Sequence, residues 1–273
     1  MKNHINIEGK KRMFLTAGLL LIAGVCMFFL FRYIITVRNA GKDIQNIQEN
    51  YVVKPDSSDS DPNTTLPPPQ DESKIDEYSV PELDIDFAAL QEEVNPDIYS
   101  WILIPDTPID YPVVQHPEDN EHYMNYNLDG SRGYPGCIYT ENYNSKDWED
   151  VNTILYGHNM RNRTMFAKLN EYRDKDFFDE HRYVYIYSPD AVRVYRVFAA
   201  YEFSDLHLMA VCDWNDPDVV SRFFSVIHDY PGVFDETVEL GDDDRYLTLS
   251  TCRNHKQDKR LLVHAMLVEE VSD

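Results

Sequence analysis

Cysteine is scarce in this chain, which has four in 273 residues. Cys26 lies in a long apolar stretch near the N-terminus, and Cys137, Cys212 and Cys252 lie in the remainder. Small secreted domains that depend on disulfides are rich in cysteine, so a disulfide-rich framework is excluded. Three is also an odd number. Whether or not one pair forms, at least one thiol outside the apolar stretch stays free.

Basic residues are scarce as well, with 25 Lys and Arg against 48 Asp and Glu. Six of the basic residues but only one acidic residue fall within residues 1–38. The other 235 residues therefore carry 19 basic and 47 acidic side chains, a formal net charge of −28. Because so acidic a surface repels a polyanion, the composition argues against nucleic acid as a partner.

One long hydrophobic run is present near the start of the chain. Met13–Phe31 has 19 residues without a charge, and the apolar character resumes as far as Val37. About 20 apolar residues are enough for a helix to span a bilayer. Three basic residues immediately precede the run, so the positive-inside rule predicts a cytoplasmic segment at 1–12 and a transmembrane anchor at 13–37. A cleaved signal peptide is the alternative, but the run is longer than a typical one.

Residues 38–80 are predicted to be an extracellular linker. They include SSDSDPNTTLPPPQDES, which is rich in Ser, Asp and Pro and poor in apolar residues. Such a composition cannot bury enough apolar surface to fold alone, and consecutive prolines stiffen a chain. The folded domain is predicted to cover residues 81–273.

The predicted domain alternates short strand patterns with a few helical ones. Neither an internal repeat nor a regular βαβ alternation is visible, so a closed or half-closed β-barrel is favoured. An excursion at 204–244, which contains a helix, precedes the last two strands. Strands are predicted at 100–104, 109–114, 136–139, 153–156, 183–188, 192–203, 246–251 and 261–269. Helices are predicted at 86–94, 119–126, 175–181 and 217–228, and another follows a loop within 157–172, with Met165, Phe166 and Leu169 on its core face.

The segment YLTLSTCRNHKQDKR, residues 246–260, carries the strongest chemical signal. Cys252 ends a strand, and Arg260 begins the next one after a short loop, so the two residues are expected to lie side by side. A thiol beside a guanidinium is a plausible nucleophile with an anion-stabilising group. The alternative is a buried cysteine that acts only as a small hydrophobe.

A nucleophilic thiol also needs a proton donor for the leaving group, and histidine is the usual one. His158 is the strongest of nine candidates, because it follows the strand TILY and Gly157 as Cys252 follows its own strand. His264 is a competitor, since it shares a strand face with Arg260, and Arg253 would then be the basic partner.

The sequence TLSTC, an upstream YGHN and a downstream Arg resemble the sortases, in particular class B sortases of Gram-positive bacteria. The resemblance covers about residues 86–269. It implies a mostly β fold: an eight-stranded barrel with an N-terminal helix and a helix-containing insertion before the cysteine strand. It assigns Cys252, His158 and Arg260 as catalytic, and Ser250 and Thr251 as substrate-binding. Cys137, where related enzymes often have Ser, is interpreted as a packed strand residue.

The resemblance also implies a reaction and its partners. Cys252 would cleave a C-terminal sorting motif of a secreted protein after Thr, through a thioester, and an amine of a peptidoglycan precursor would resolve it. No metal or organic cofactor is implied. The acidic residues 242–244 have the charge that calcium requires, but they lack the spacing of an oxygen-ligand loop. The alternatives are a secreted cysteine peptidase or cell-wall hydrolase that uses water, and a non-catalytic surface-binding domain.

Overall fold

A computed structural model of the protein describes residues 7–54, 78–241, 243–253 and 256–272. The chain divides into two compact units, residues 1–45 and residues 46–273. The first unit belongs to helix α1, Ile7–Tyr51, whose last turns fall in the second unit. The predicted cytoplasmic segment 1–12 lies partly outside the described residues.

Helix α1 is long and apolar enough, by length and composition, to cross a membrane within Lys11–Tyr51. The apolar window of this helix is fully exposed. Since an exposed surface of large apolar side chains is unfavourable in water, this part of the helix suits a lipid environment.

The second unit is built mainly from β-structure. The described strands are β1 Val52–Val53, β2 Asp84–Ile85, β3 Ile98–Leu103, β4 Asp110–Val114, β5 Ile138–Thr140, β6 Asn152–Tyr156, β7 Tyr183–Tyr187, β8 Ala191–Ser204, β9 Gly232–Phe234, β10 Tyr246–Arg253 and β11 Lys256–Ser272. The described short helices are α2 Phe87–Ala89, α3 His122–Asn125, α4 Lys175–Glu180, α5 Leu208–Val211 and α6 Pro217–Ser225, with a π-helical turn at Leu90–Val94 and 3₁₀ helices at Phe166–Arg173 and Ile227–Asp229.

Eight of these strands close into a barrel. The order is β11-β10-β6-β5-β4-β3-β7-β8, and β8 pairs back with β11. This closing pair is antiparallel and runs from Lys259↔Ser204 to Ser272↔Ala191. The expected eight-stranded barrel with an N-terminal helix is therefore confirmed. Closure also removes the open edges that would otherwise expose unpaired backbone groups.

Large apolar side chains are buried on both faces of the barrel wall, inside the barrel and under the segments that cover it. Trp101, Ile102, Phe166, Leu249 and Leu261 are all fully buried. Phe166, like its neighbours Met165 and Leu169, was expected to face the core, and all three are buried. The strand at β9, inside the excursion, was not predicted; its three residues pair with β8.

The excursion at 204–244 forms a compact layer on the barrel. Asp216 caps α6, accepting hydrogen bonds from the backbone amides of Asp218 and Val219, and Pro217 opens the first turn, as the sequence predicted. Pro is favoured at the first helical position because its missing N–H has no partner there. The apolar face of the excursion packs with barrel residues in one buried cluster, formed by Trp214, Val220, Phe224, Ile227, Phe198 and Tyr246.

The predicted linker begins too early. Helix α1 continues to Tyr51, and residues 46–54 belong to the second unit rather than to a spacer. Ile47 and Val52 are buried, and Gln48 donates a hydrogen bond of 2.7 Å to the carbonyl of Asp110. At the other end of the predicted linker, the carbonyl of Ser79 accepts a hydrogen bond of 3.0 Å from Tyr185. Residues 55–77 lie outside the described part of the chain.

Candidate active site

Three adjacent strands of the barrel carry the predicted catalytic residues. β10 runs parallel to β6, so both strands end at the same edge, and the last pair in their register is Ser250↔Tyr156. Cys252 and His158 each lie two positions beyond this pair. β11 runs antiparallel to β10 and begins at that edge, with Arg260 directly opposite Cys252. The strand topology therefore brings the three residues to one end of the barrel.

Cys252 and Arg260 are in contact. The Nη1 group of Arg260 lies 3.3 Å from Sγ of Cys252, within hydrogen-bonding distance for a sulfur acceptor. Cys252 is exposed, whereas Cys137 and Cys212 are buried. Burial raises the pKa of the Cys137 thiol, and it raises the pKa of Cys212 to about 11. Of the cysteines in the second unit, Cys252 is thus the one with both access and a cationic partner.

His158 lies in the segment Gly157–Asn159 directly after β6, which we call the histidine segment. A Cβ on Gly157 would lie 2.5 Å from Cδ1 of Ile138 and 2.7 Å from Cδ2 of Phe166, so a side chain does not fit there. The half-buried His158 ring has its Nε2 at 2.8 Å from the carbonyl oxygen of Met124. Because a carbonyl can only accept, Nε2 carries a proton, and Nδ1 is the ring nitrogen left for proton transfer.

Three hydrogen bonds join the histidine segment, Gly157–Asn159, to the cysteine strand β10. The amide of Gly157 donates to the carbonyl of Ser250 at 3.2 Å. The hydroxyl of Thr251 donates to the carbonyl of Gly157 at 2.7 Å, and Nδ2 of Asn159 donates to the carbonyl of Cys252 at 2.6 Å. Sequence analysis gave Asn159 no role, although it stands in the same YGHN segment as His158.

The two residues predicted to bind substrate are both buried. Ser250 is 2% exposed and Thr251 is 0% exposed. The Thr251 hydroxyl already donates a hydrogen bond to the carbonyl of Gly157, the residue before His158. In this conformation neither side chain reaches solvent, so substrate binding by them stays a prediction. The hydrogen bond of Thr251 connects the cysteine strand to the segment that carries His158.

The structure argues against His264 as the proton donor of the site. His264 is fully buried in the barrel, and burial lowers its pKa to about 3. Its Nδ1 lies 2.8 Å from the Thr248 hydroxyl, which in turn donates to Oδ1 of Asn152, so Nδ1 carries the proton. Nε2 then accepts from the Tyr201 hydroxyl at 2.9 Å. A neutral, fully hydrogen-bonded and inaccessible ring cannot protonate a leaving group. The side chain of Arg253, its proposed partner, lies outside the described part.

A cluster of one acidic residue and several aromatic rings lies beside β6, near enough to Arg260 to be affected by its charge. Nε2 of His207, on the excursion, lies 2.6 Å from Oε2 of Glu141. Tyr139 and Tyr156 are stacked with their ring centroids 5.5 Å apart. Burial and the nearby Glu141 carboxylate raise the pKa of both phenols, while the positive charge of Arg260 lowers it. Both phenols therefore stay protonated at neutral pH and can act as hydrogen-bond donors.

Among the described residues, no group of three or more His, Cys, Asp or Glu side chains could hold a metal ion. Asp242, part of the acidic run considered for calcium, lies outside them. The chemistry that the site can support is that of its own side chains: a nucleophilic sulfur, a guanidinium beside it, and an imidazole on the neighbouring strand end.

A family model, curated relatives and solved structures all relate this chain to the same family. A family model for the sortase domain matches residues 102–268. Sortase B of Listeria monocytogenes is 31% identical over 179 residues, which cover 65% of this chain and 72% of that protein. The X-ray structure of Clostridium perfringens sortase B has a TM-score of 0.61 at 28% identity, and covers 67% of this chain and 99% of that one.

A second solved structure aligns with more of the chain. Sortase B of Bacillus anthracis, in complex with AAEK1, has a TM-score of 0.63 at 28% identity and covers 88% of this chain and 98% of that one. The family match includes β6, β10 and β11 as far as residue 268, and these are the three strands that meet at the candidate site. The chain therefore belongs to the sortase family of cysteine transpeptidases, with the class B sortases.

Proposed function

We propose that this sortase cleaves a C-terminal sorting motif of secreted proteins after Thr and joins the Thr carbonyl to an amine of a peptidoglycan precursor. The observation that carries this proposal is the exposed Cys252 thiol with Nη1 of Arg260 at 3.3 Å. In the proposed reaction the Cys252 thiolate attacks the Thr carbonyl. Arg260 donates hydrogen bonds to the oxyanion that develops.

In the proposed pair the Cys252 thiol gives its proton to Nδ1 of His158 as the thiolate forms, and His158 supplies that proton for the next step. The C–N bond of the tetrahedral intermediate breaks, His158 gives a proton to the departing amine, and a thioester on Cys252 remains. Because Nε2 is already bonded to Met124, Nδ1 is the nitrogen that we assign to this transfer. The incoming amine then attacks the thioester, its proton passes to His158, and the thiolate is released.

Two further features support parts of the proposal. The excursion contacts the segment after β5 through His207 and Glu141, which supports a role for it as a wall of the peptide groove. The exposed apolar helix α1 suits a single-pass anchor, with the N-terminus cytoplasmic and the catalytic domain extracellular.

The test is mass spectrometry of the protein spanning residues 46–273 with a panel of candidate sorting peptides, with and without added primary amines. The proposal predicts an adduct on Cys252 with the mass of the peptide up to Thr, and a ligated product when an amine is present. If only hydrolysed peptide forms at every amine concentration, without ligated product, the protein acts as a hydrolase instead. Resistance of the native Cys252 thiol to alkylation, with no adduct, would support a non-catalytic domain.

A further inference from the structure

The geometry points to Asn159 and Thr251 as positioning residues that hold His158 opposite Cys252, an inference that rests on the proposed function. Each residue joins the histidine segment to the cysteine strand by a side-chain hydrogen bond. Thr251 bonds to the carbonyl of Gly157, on one side of His158. Asn159 stands on the other side and bonds to the carbonyl of Cys252. We call this pair of bonds the clamp.

The clamp is needed because the sheet does not extend to the site. The register of β6 and β10 ends at Ser250↔Tyr156, two positions before Cys252 and His158. The pairing of β10 with β11 is also irregular immediately after Cys252. Neighbouring strands in a ladder are held about 4.8 Å apart by backbone hydrogen bonds. Beyond the last pair, the two side-chain bonds take over that task and continue the parallel register to the catalytic residues.

The distances involved explain why so few bonds matter. A proton donor has to lie within about 2.6–3.2 Å of the atom that it protonates. A displacement of about 1 Å at such a site can cost roughly a hundredfold in rate. Asn159 is partly exposed, but its bond to the Cys252 carbonyl spans 93 residues of sequence. Such a bond adds little to the stability of a surface loop, so its main effect falls on the relative position of the two strand ends.

The inference predicts a specific pattern in four variants. Asn159→Ala and Asn159→Asp both remove the donor to the Cys252 carbonyl, and Asp does so without a change in size. Thr251→Val removes the hydroxyl at nearly constant volume, whereas Thr251→Ser keeps it. The first three should lower kcat for peptide cleavage by about tenfold to a hundredfold with KM within about twofold, and Thr251→Ser should stay close to wild type.

A matched control is available in Asn142. Its Nδ2 also donates to a backbone carbonyl of a distant segment, Pro117, at 3.0 Å, and this side chain is somewhat more exposed than that of Asn159. Asn142→Ala should change the melting temperature about as much as Asn159→Ala and should leave kcat unchanged. The rate of alkylation of Cys252 should stay within about threefold of wild type in all clamp variants, because Arg260 still faces the thiol.

Two results separate the clamp from the proposed function. Normal kcat in Asn159→Ala and Thr251→Val, beside an inactive Cys252→Ala protein, would overturn the clamp alone. Cleavage that persists in Cys252→Ala would overturn the proposed function. Amide hydrogen exchange in residues 158–165 gives a readout that needs no substrate. The clamp predicts faster exchange there in Asn159→Ala than in Asn142→Ala, and equal exchange in the two would overturn it.

Discussion

The contact between Cys252 and Arg260 is a consequence of strand register at the scale of single residues. The two are direct partners across β10 and β11, and side chains directly opposite in an antiparallel pair lie about 5 Å apart at Cβ. A long side chain such as Arg easily closes the remaining distance to the thiol. The planar guanidinium presents several donors at once, so the same group can face both the sulfur and an oxyanion.

The catalytic assignment predicts a graded loss of activity. Cys252→Ala should abolish cleavage and thioester formation, because nothing else can form the acyl-enzyme. His158→Ala should be nearly as severe, since amine expulsion needs a proton. Arg260→Ala should cost about a hundredfold or more, the scale for loss of an oxyanion donor. Arg260→Lys should recover little, since Lys keeps the charge but loses the planar fork. Peptide cleavage by each purified variant measures this.

These substitutions lie at strand ends, so circular dichroism and melting temperature should stay close to wild type. His264→Ala provides the contrast. Loss of its buried hydrogen bonds to Thr248 and Tyr201 should reduce stability rather than chemistry. Full activity in His158→Ala, together with a stable but inactive His264→Ala protein, would reverse the assignment.

The buried His264 also predicts a pH dependence of stability. Its pKa falls from 6.5 in the unfolded chain to about 3 in the barrel. Between these values the unfolded state binds a proton that the folded state does not, so the free energy of unfolding decreases as pH falls from 6.5 toward 3. One such group contributes about 1.4 kcal/mol per pH unit. At pH 5 the loss is about 2 kcal/mol.

The measurement is chemical denaturation of the wild-type protein and of His264→Gln between pH 7.5 and 5. Carboxylates titrate in both proteins, so their contribution cancels in the comparison. The variant should be less stable at pH 7.5 but should lose less stability on acidification. Parallel pH profiles would mean that His264 is not neutral in the folded state.

The excursion behaves as a packed element rather than as a free loop. Trp214, Phe224 and Ile227 are buried against Phe198 and Tyr246 of the barrel. Burial of each large apolar side chain contributes about 1.5–3 kcal/mol of transfer free energy. This fixes α6 on the barrel and leaves the segment around His207, which is exposed, as the part that faces the site.

Exchange of residues 204–244 for the equivalent segment of another sortase should change which sorting peptide is cleaved. A smaller change, His207→Ala, should loosen the contact to Glu141 and raise KM for peptide more than it lowers kcat. Arg222→Ala, on the exposed face of α6, serves as the control and should be neutral. Initial rates with a peptide panel measure all three, and an unchanged preference in a folded chimera would contradict the role of the excursion.

At the scale of the whole molecule, the structure redraws the N-terminal boundary of the catalytic domain. Residues 46–54 pair and pack within the second unit, through β1 with β2 and through buried Ile47. A protein that begins at Pro81 lacks them. It should still cleave peptide, because none of these residues lies at the site. It should melt about 5–10 °C below a protein that begins at Asn46, given a loss of about 2–3 kcal/mol.

Thermal melts of the two truncated proteins, with cleavage assays on both, provide the measurement. Equal melting temperatures would show that residues 46–54 add nothing to the stability of the domain. Loss of cleavage in a folded protein beginning at Pro81 would show that the N-terminal segment acts on the site.

Much of this architecture followed from the sequence because alternation and turn residues act locally. All eight barrel strands were predicted, with ends a few residues off, and Cys252 and Arg260 were expected to be neighbours. The packing of the segment before the domain was not predicted, because its few apolar residues, among them Ile47 and Tyr51, are dispersed in a polar stretch. Their i, i+4 spacing was the available signal. The role of Asn159 depends on a contact across 93 residues, which no local pattern reveals.

The parallel arrangement of β6 and β10 has a kinetic consequence. Parallel neighbours cannot be joined by a hairpin, so the chain has to cover most of the barrel between Tyr156 and Tyr246 before these strands can pair. Contacts of such long sequence separation form slowly, because loop-closure entropy is lost before they stabilise the chain. We therefore expect β6 and β10 to pair late in folding, so that His158 and Cys252 come together only after most of the barrel has formed.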